Sequence, residues 1–287
     1  MLDSSTHSAD LLNQLPSPLD VASGSNFLPS DPLRSSLDLL SFSDRSSFTP
    51  NSFIQALSPL PINGFNSGYF TVGDTGQVGI DYLFDGGGYQ GELAIFSLSG
   101  LEDFATDLST LTNEVVHRAL SETVLGHVVI RDEIEGARFN GELGEGNFNV
   151  GDHLGVKTFT MTAGDRFGMM LAPNGTIAAL QNNPNPQGVD RPLFSLVGLN
   201  PEFGFQVGQM ADVDGNGSTF VLEDLRVDGE SDRDYNDMIF QVRGAIGSVV
   251  RLDEVIPFDN DWRKSTLGQS LLDYAAAYDQ QFQIQNF

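Results

Sequence analysis

The chain has 287 residues, 40% of them hydrophobic and 21 of them Phe, enough for a sizeable core in one large all-β domain or two smaller ones. Its formal net charge is -25 with only 14 Lys and Arg, so its surface repels phosphate backbones, and anionic membranes too unless calcium bridges the two; no nucleic-acid partner is expected. With no Cys and only 4 His, disulfides, thiolate chemistry, Cys-type zinc and His-rich transition-metal sites fall away.

Residues 1–65 are rich in Ser, Pro, Asp and Leu, and Pro16, Pro18, Pro29, Pro32, Pro50, Pro59 and Pro61 break any long element. Short apolar pairs recur there without period. The stretch reads as a flexible arm or linker that orders against a partner, or else as a plain disordered leader. No basic region followed by an apolar core marks an export signal, and no apolar run approaches the ~20 residues of a membrane helix, so no transmembrane segment is expected.

From Gly68 the texture changes. Tyr69–Val72, Gln77–Phe84 and Glu92–Leu98 alternate or run apolar between Gly-rich turns, which is strand punctuation. Residues 107–121 carry Val115, Val116, Ala119 and Leu120 at helical spacing and predict one helix. Strand patterns resume at Val128–Ile130, Lys157–Met161, Arg166–Leu171, Leu193–Val197, Phe203–Val207 and Met238–Val242, with Asn140-Gly141 and Asn174-Gly175 as turn dipeptides. Ser265 is placed to cap a closing helix with Leu267, Leu271, Leu272, Ala275 and Tyr278 on one stripe, and Trp262 before it reads as a core or interface anchor. The expected fold is all-β, an antiparallel β-sandwich or jelly roll with one or two peripheral helices. The boundaries expected are an arm at 1–65, a sandwich domain at 66–256 and a C-terminal helical extension at 257–287.

The chemistry concentrates between residues 212 and 237, where Asp212, Asp214, Glu223, Asp224, Asp228, Glu230, Asp232, Asp234 and Asp237 are offset only by Arg226 and Arg233. Carboxylates this crowded repel one another unless a cation lies among them, and hard oxygen donors suit calcium. Asp212, Asp214, Asn216, Gly217 and Glu223 match the loop pattern D-x-[DN]-x-[DN]-G-x5-E, in which alternate side chains converge, Gly permits the sharp turn and the last Glu closes the sphere. Ser218 would add its backbone carbonyl. The flanking sequence does not read as helices, so the expectation is a calcium loop at a sandwich edge, against an acidic solvated loop without an ion. Asp232, Asp234 and Asn236, two apart, point the same way on an extended segment. Glu223 could serve either half, giving one shared site or two adjacent ones. Asp81, Asp85 and Glu92 form a smaller acidic group around Gly86-Gly87-Gly88, read as a second ion site, a completion of the first, or an exposed hairpin.

Leu222-Glu223-Asp224-Leu225 followed by Asp232-Arg233-Asp234-Tyr235-Asn236-Asp237 and a strand resembles the signature of an uncharacterised domain family. That family occurs in secreted and surface proteins of cyanobacteria and other bacteria, including calcium-dependent repeat adhesins. The likeness extends to Phe84–Ala94 and to Gly164–Leu171, covering roughly residues 68–256. It implies a calcium-binding β-sandwich with Glu223, Asp224, Asp234, Asn236 and Asp237 as ligands, and it supplies no activity. The chain departs from the adhesins in having no run of glycine-aspartate nonapeptide repeats.

No catalytic constellation stands out. Acids abound, yet no pair suited to glycoside hydrolysis is set in an apolar pocket pattern, and a single Trp is poor provision for stacking sugars. Gly-x-Ser-x-Gly is absent, and the Gly triplet lacks the Lys of a phosphate loop. The expectation is a non-catalytic, extracellular or cell-surface protein. One reading is structural or adhesive, with calcium ordering the sandwich and the arm mediating self-assembly. The other is a calcium-dependent module for a cell-surface glycan or another ligand.

Overall fold

The structure, a computed structural model, describes residues 65–285 other than 145, 147, 148, 211–216 and 230, all within the unit Asn51–Phe287. The arm expected at 1–65 therefore lies outside the described residues, save Phe65.

The β-branched and aromatic runs form eleven strands. In chain order they are β1 (Tyr69–Val72), β2 (Gln77–Asp85), β3 (Glu92–Ser97), β4 (Gly126–Arg131), β5 (Lys157–Thr160), β6 (Arg166–Ala172), β7 (Leu193–Phe194), β8 (Val207–Gln209), β9 (Thr219–Leu222), β10 (Met238–Arg243) and β11 (Ala245–Ser248). One sheet runs β11-β1-β6-β3-β4, with β7 on β6 beyond the end of β1; the other runs β5-β2-β10-β9-β8. Every strand pair is antiparallel. The helices are α1 (Leu108–Leu120), α2 (Leu252–Val255) and α3 (Thr266–Gln285). The all-β sandwich read from the sequence is the fold.

The alternation of side chains sorts the apolar residues into three clusters. Between the sheets, Phe70 stacks on Phe167 at 5.1 Å and meets Phe220 edge-on at 4.8 Å, joined by Ile80, Tyr82, Leu93, Ile95, Met169 and Phe240. Leu111, Val115, Val116 and Ala119 of α1 cover Ala94, Phe96 and Val128 on the outer side of the first sheet. Leu271 and Ala275 of α3, with Trp262, cover Leu83, Phe84, Val221 and Ile239 on the outer side of the second. Because β2 is covered on both faces, every residue from Val78 to Asp85 is buried, which explains why its sequence is apolar on both faces apart from Asp81 and Asp85.

Both long helices begin at side-chain caps, that of α3 at the Ser265 read from the sequence. The Asp107 carboxylate accepts from Thr110 N at 2.9 Å, and the Ser265 hydroxyl accepts from Gly268 N at 3.0 Å. Those hydrogen bonds hold the Asp107 carboxyl below the usual carboxylate range.

Four segments differ from expectation. Leu193–Val197 is not one strand: β7 ends at Phe194, and Val197–Leu199 is a 3-10 turn. Asn200 takes over the Phe194 ladder groups, its Oδ1 accepting from Phe194 N at 2.9 Å and its Nδ2 donating to Phe194 O at 2.7 Å. Pro201 and the left-handed Glu202 and Phe203 (φ 49° and 55°) keep Phe203–Gln206 out of the sheet, so β8 starts at Val207. Thr219–Leu222, read as the interior of a loop, is strand β9, and Ala245–Ser248 closes the first sheet against β1.

A β-bulge positions the acidic residues. The β2–β10 register shifts between Ile239 and Phe240, which pair with Phe84 and Tyr82 and leave Leu83 as the extra residue. Tyr82 and Asp85, three apart, consequently reach the same carboxylate, Asp132.

Candidate metal centre

Strand β9 delivers Glu223 to one end of the second sheet, and the segment from Ser231 to Asn236 folds back over it before β10 begins. Arg233 and Tyr235 are left-handed, with φ of 61° and 56°, so the segment is looped rather than extended. Its conformation is fixed from below by Glu223, whose two carboxylate oxygens accept from Ser231 Oγ and from Tyr235 N. Other anchors are Arg233 Nε on Val227 O at 2.8 Å, Tyr235 Oη on Phe205 O at 2.7 Å and Asn260 Nδ2 on Asp232 O at 2.6 Å.

The loop brings Glu223, Asp232 and Asp234 together, each offering an oxygen within 4.8 Å of the others. Glu223 and Asp234 are buried and Asp232 is exposed. Asp232 and Asp234 line a cavity of about 360 Å³ whose walls also include Leu143, Gly144, Asn260 and Trp262. Burial pushes the Glu223 carboxyl up to about 7, and the Asp232 charge adds to the effect against the hydrogen bonds from Ser231 and Tyr235.

The donors suit a hard cation. All are oxygens, with no sulfur or imidazole in the group. Asn236, fully buried beside Asp234, supplies an independent indication. Its Nδ2 donates to Leu143 O at 2.8 Å and to Asp234 Oδ2, and two acceptors on one side fix which end of the amide is nitrogen. Its Oδ1 is left buried without a hydrogen-bond partner. Room for this side chain comes from Gly86, where a Cβ would lie 2.8 Å from Oδ1 and 2.6 Å from the Asn236 carbonyl oxygen. A calcium ion takes six to eight oxygens, so backbone carbonyls or water would have to complete what these side chains begin.

The sequence-derived ligand set is distributed as follows. Glu223, Asp232 and Asp234 converge, with Asn236 in contact. Asp224 and Asp237 form an adjoining pair in which Asp237 Oδ2 accepts from Asp224 N at 2.8 Å. Burial, followed by the charges of Asp224 and Glu223, holds the Asp237 carboxyl well above its ordinary value. Ser218 is at the other end of β9 from Glu223, five residues and about 17 Å along the strand, where its carbonyl accepts from Val242 N at 2.7 Å and its hydroxyl donates to Asp279 Oδ1 at 2.6 Å. Asp212, Asp214 and Asn216 lie outside the described residues.

The smaller acidic group does not assemble as read. Asp81 is buried among Arg138, Arg243, His153 and Tyr274, and Glu92 accepts from Ile177 N at 2.7 Å. Asp85 instead meets Asp132, a residue the sequence reading missed and which no local pattern marks. Tyr82 Oη donates to Asp132 Oδ1 at 3.1 Å. Burial is the main reason Asp85 is pushed up to about 8 and Asp132 to about 6, with the Asp132 charge next for Asp85.

Residues 161–245, spanning β6 to the start of β11 and including Glu223, Asp232, Asp234 and Asn236, match the family described as "Domain of unknown function (DUF4114)". The matched region is shorter than the 68–256 over which the sequence signature was followed, and it covers less than half of the chain. No curated protein and no solved structure matches the chain.

Proposed function

We propose that this is a calcium-binding structural or adhesive protein of the cell exterior, in which the ion ties the Ser231–Asn236 loop to strand β9. The observation that carries the reading is the convergence of Glu223, Asp232 and Asp234 beside the orphaned Asn236 Oδ1. Two of these carboxylates are buried, and burying charge is costly without a compensating partner. Calcium supplies that partner to an all-oxygen group, and modules working outside cells bind it at ~0.1–1 mM. The role is non-catalytic: the ion neutralises charge and orders the edge at which further subunits or surfaces would attach.

A second reading, a calcium-dependent module for a cell-surface carbohydrate or other ligand, is favoured by the cavity of about 360 Å³ lined by Asp232 and Asp234.

Calorimetric titration into millimolar calcium, paired with thermal melting with and without chelator, tests the first reading. Binding of one ion to the folded state alone stabilises by about 2.7 kcal/mol at a hundredfold excess over Kd. An identical melting temperature with chelator and with millimolar calcium would refute it. Binding of a glycan array, abolished by chelation, would move the assignment to the second reading.

A further inference from the structure

Away from the acidic loop, Arg191 follows a short 3-10 turn (Gly188–Asp190) and leads into β7. Its Nε is buried without a hydrogen-bond partner, and its guanidinium makes no ion pair among the described residues. The nearest cation, Arg226, gives both Nε (3.0 Å) and Nη2 to Asp228, so that carboxylate is already held in a two-point grip. Burial and the neighbouring Arg226 charge both press the Arg191 guanidinium below its ordinary value. The Asp228 charge acts on Arg191 in the opposite sense, but in a chain with 39 Asp and Glu against 14 Lys and Arg, a half-buried arginine in no direct ion pair among the described residues is unexpected.

Arg191 lines a hollow of about 150 Å³ together with Val189, Leu193, Asp224, Leu225 and Arg226. The planar fork of a guanidinium matches a carboxylate at two points. The three aliphatic side chains offer a wall for the C–H face of a ring. Arg226 also faces the hollow but its charge is met by Asp228, and Asp224 offsets Arg191. A multiply charged anion such as phosphate or sulfate therefore finds no surplus positive charge, while the Asp224 carboxylate can accept hydrogen bonds from hydroxyls.

We propose that this hollow binds a carboxylate carried on a hydroxylated ring, the chemistry of a uronic acid, with Arg191 as the carboxylate-binding residue. The site is separate from the Glu223–Asp232–Asp234 group and does not require an ion there.

The test follows the Arg191 Nε–Hε signal by NMR in chelator-containing buffer, with D-glucuronate, D-glucose, acetate and sulfate as probes. Carrying it out without calcium keeps its outcome distinct from that of the metal reading. A saturable shift with glucuronate, absent with glucose and weaker with acetate and sulfate, is expected. Arg191→Lys, which keeps the charge and loses the fork, should weaken glucuronate binding about tenfold or more, as read by calorimetry. Arg191→Leu should abolish binding without lowering the melting temperature, because it removes an unpartnered polar group. No saturable shift with glucuronate overturns the proposal. Equal shifts with acetate or sulfate overturn the ring assignment. Glucuronate binding retained at full strength in Arg191→Lys overturns the role given to Arg191.

Discussion

The indole Nε1 of Trp262 donates to the backbone carbonyl of Asp234 at 2.8 Å, with the ring 6% exposed. One side chain thereby joins the C-terminal segment to the acidic loop, and α3 holds it there through Leu271 and Ala275 in the same cluster. Trp262→Phe keeps most of the apolar area and removes only the donor. The Asp234 carbonyl would then be left unpaired in a buried setting, costing about 1–3 kcal/mol. Urea unfolding measures that loss. Because the same bond positions Asp234, calcium affinity should fall with stability; unchanged affinity would show that the loop keeps its form without this anchor.

Asp81 ties three separate stretches to β2. It is fully buried, with His153 Nε2 at 2.8 Å, Arg243 Nη2 at 3.2 Å, Arg138 Nη2 at 3.5 Å and Tyr274 Oη at 2.6 Å. Tyr274 belongs to α3, while Arg138 and His153 lie on the long connection between β4 and β5. Asp81→Asn leaves two guanidinium groups without their acid, and since both arginines are part-exposed the cost should sit near the low end for buried pairs, about 3 kcal/mol. Urea unfolding would measure it, and hydrogen exchange should show α3 and the 138–153 stretch losing protection first. Uniform loss across the sheets would argue against this strap.

Asp85 and Asp132 set a pH dependence in calcium-free protein. Their folded values of about 8 and about 6 exceed the ordinary carboxylate value of 3.8, so the folded chain holds protons that the unfolded chain has released. Their stabilising effect is full below the ordinary value and is lost as pH rises towards 8, at up to about 1.4 kcal/mol per pH unit per group. Thermal melts in chelator between pH 4 and 8 should show a decline to which this pair contributes alongside Glu223 and Asp237, and Asp85→Asn should make it shallower and raise stability at pH 8. A slope unchanged from the wild type in Asp85→Asn would show that this pair contributes nothing to it.

Much of this arrangement is legible in the sequence because it is local. Ser265 announces α3 through a bond spanning three residues, the spacing of Val115, Val116, Ala119 and Leu120 announces α1, and the apolar runs of β2, β3, β6 and β10 announce buried strands. Where two local patterns compete, the reading goes astray. Thr219-Phe220-Val221-Leu222 has the composition of a strand, yet it also fills the open positions of a calcium-loop pattern. Pairing with β8 and β10 resolves the conflict in favour of the strand and separates Ser218 from Glu223. Asp132 is invisible for another reason: only the β3–β4 pairing and the bulge at Leu83 bring it to Asp85. Nor does any spacing mark Arg191 as lacking a partner, since that depends on which acids the fold brings near it.

The decisive variant for the metal reading is Glu223→Gln. The amide oxygen can still accept from Tyr235 N, so the loop keeps one of its two anchors from below. The ligand charge is lost, and with it the cost of ionising a carboxyl that burial holds up to about 7. At pH 8 in chelator the variant should therefore be at least as stable as the wild type, while losing the rise in melting temperature that millimolar calcium gives the wild type. Calcium binding by the wild type near pH 6 should also release protons, seen as a calorimetric enthalpy that varies with buffer, because the ion competes with the proton on Glu223. If Glu223→Gln kept its full response to calcium, the ion would have to bind elsewhere, and the convergence of Glu223, Asp232 and Asp234 would be a hydrogen-bonded turn and nothing more.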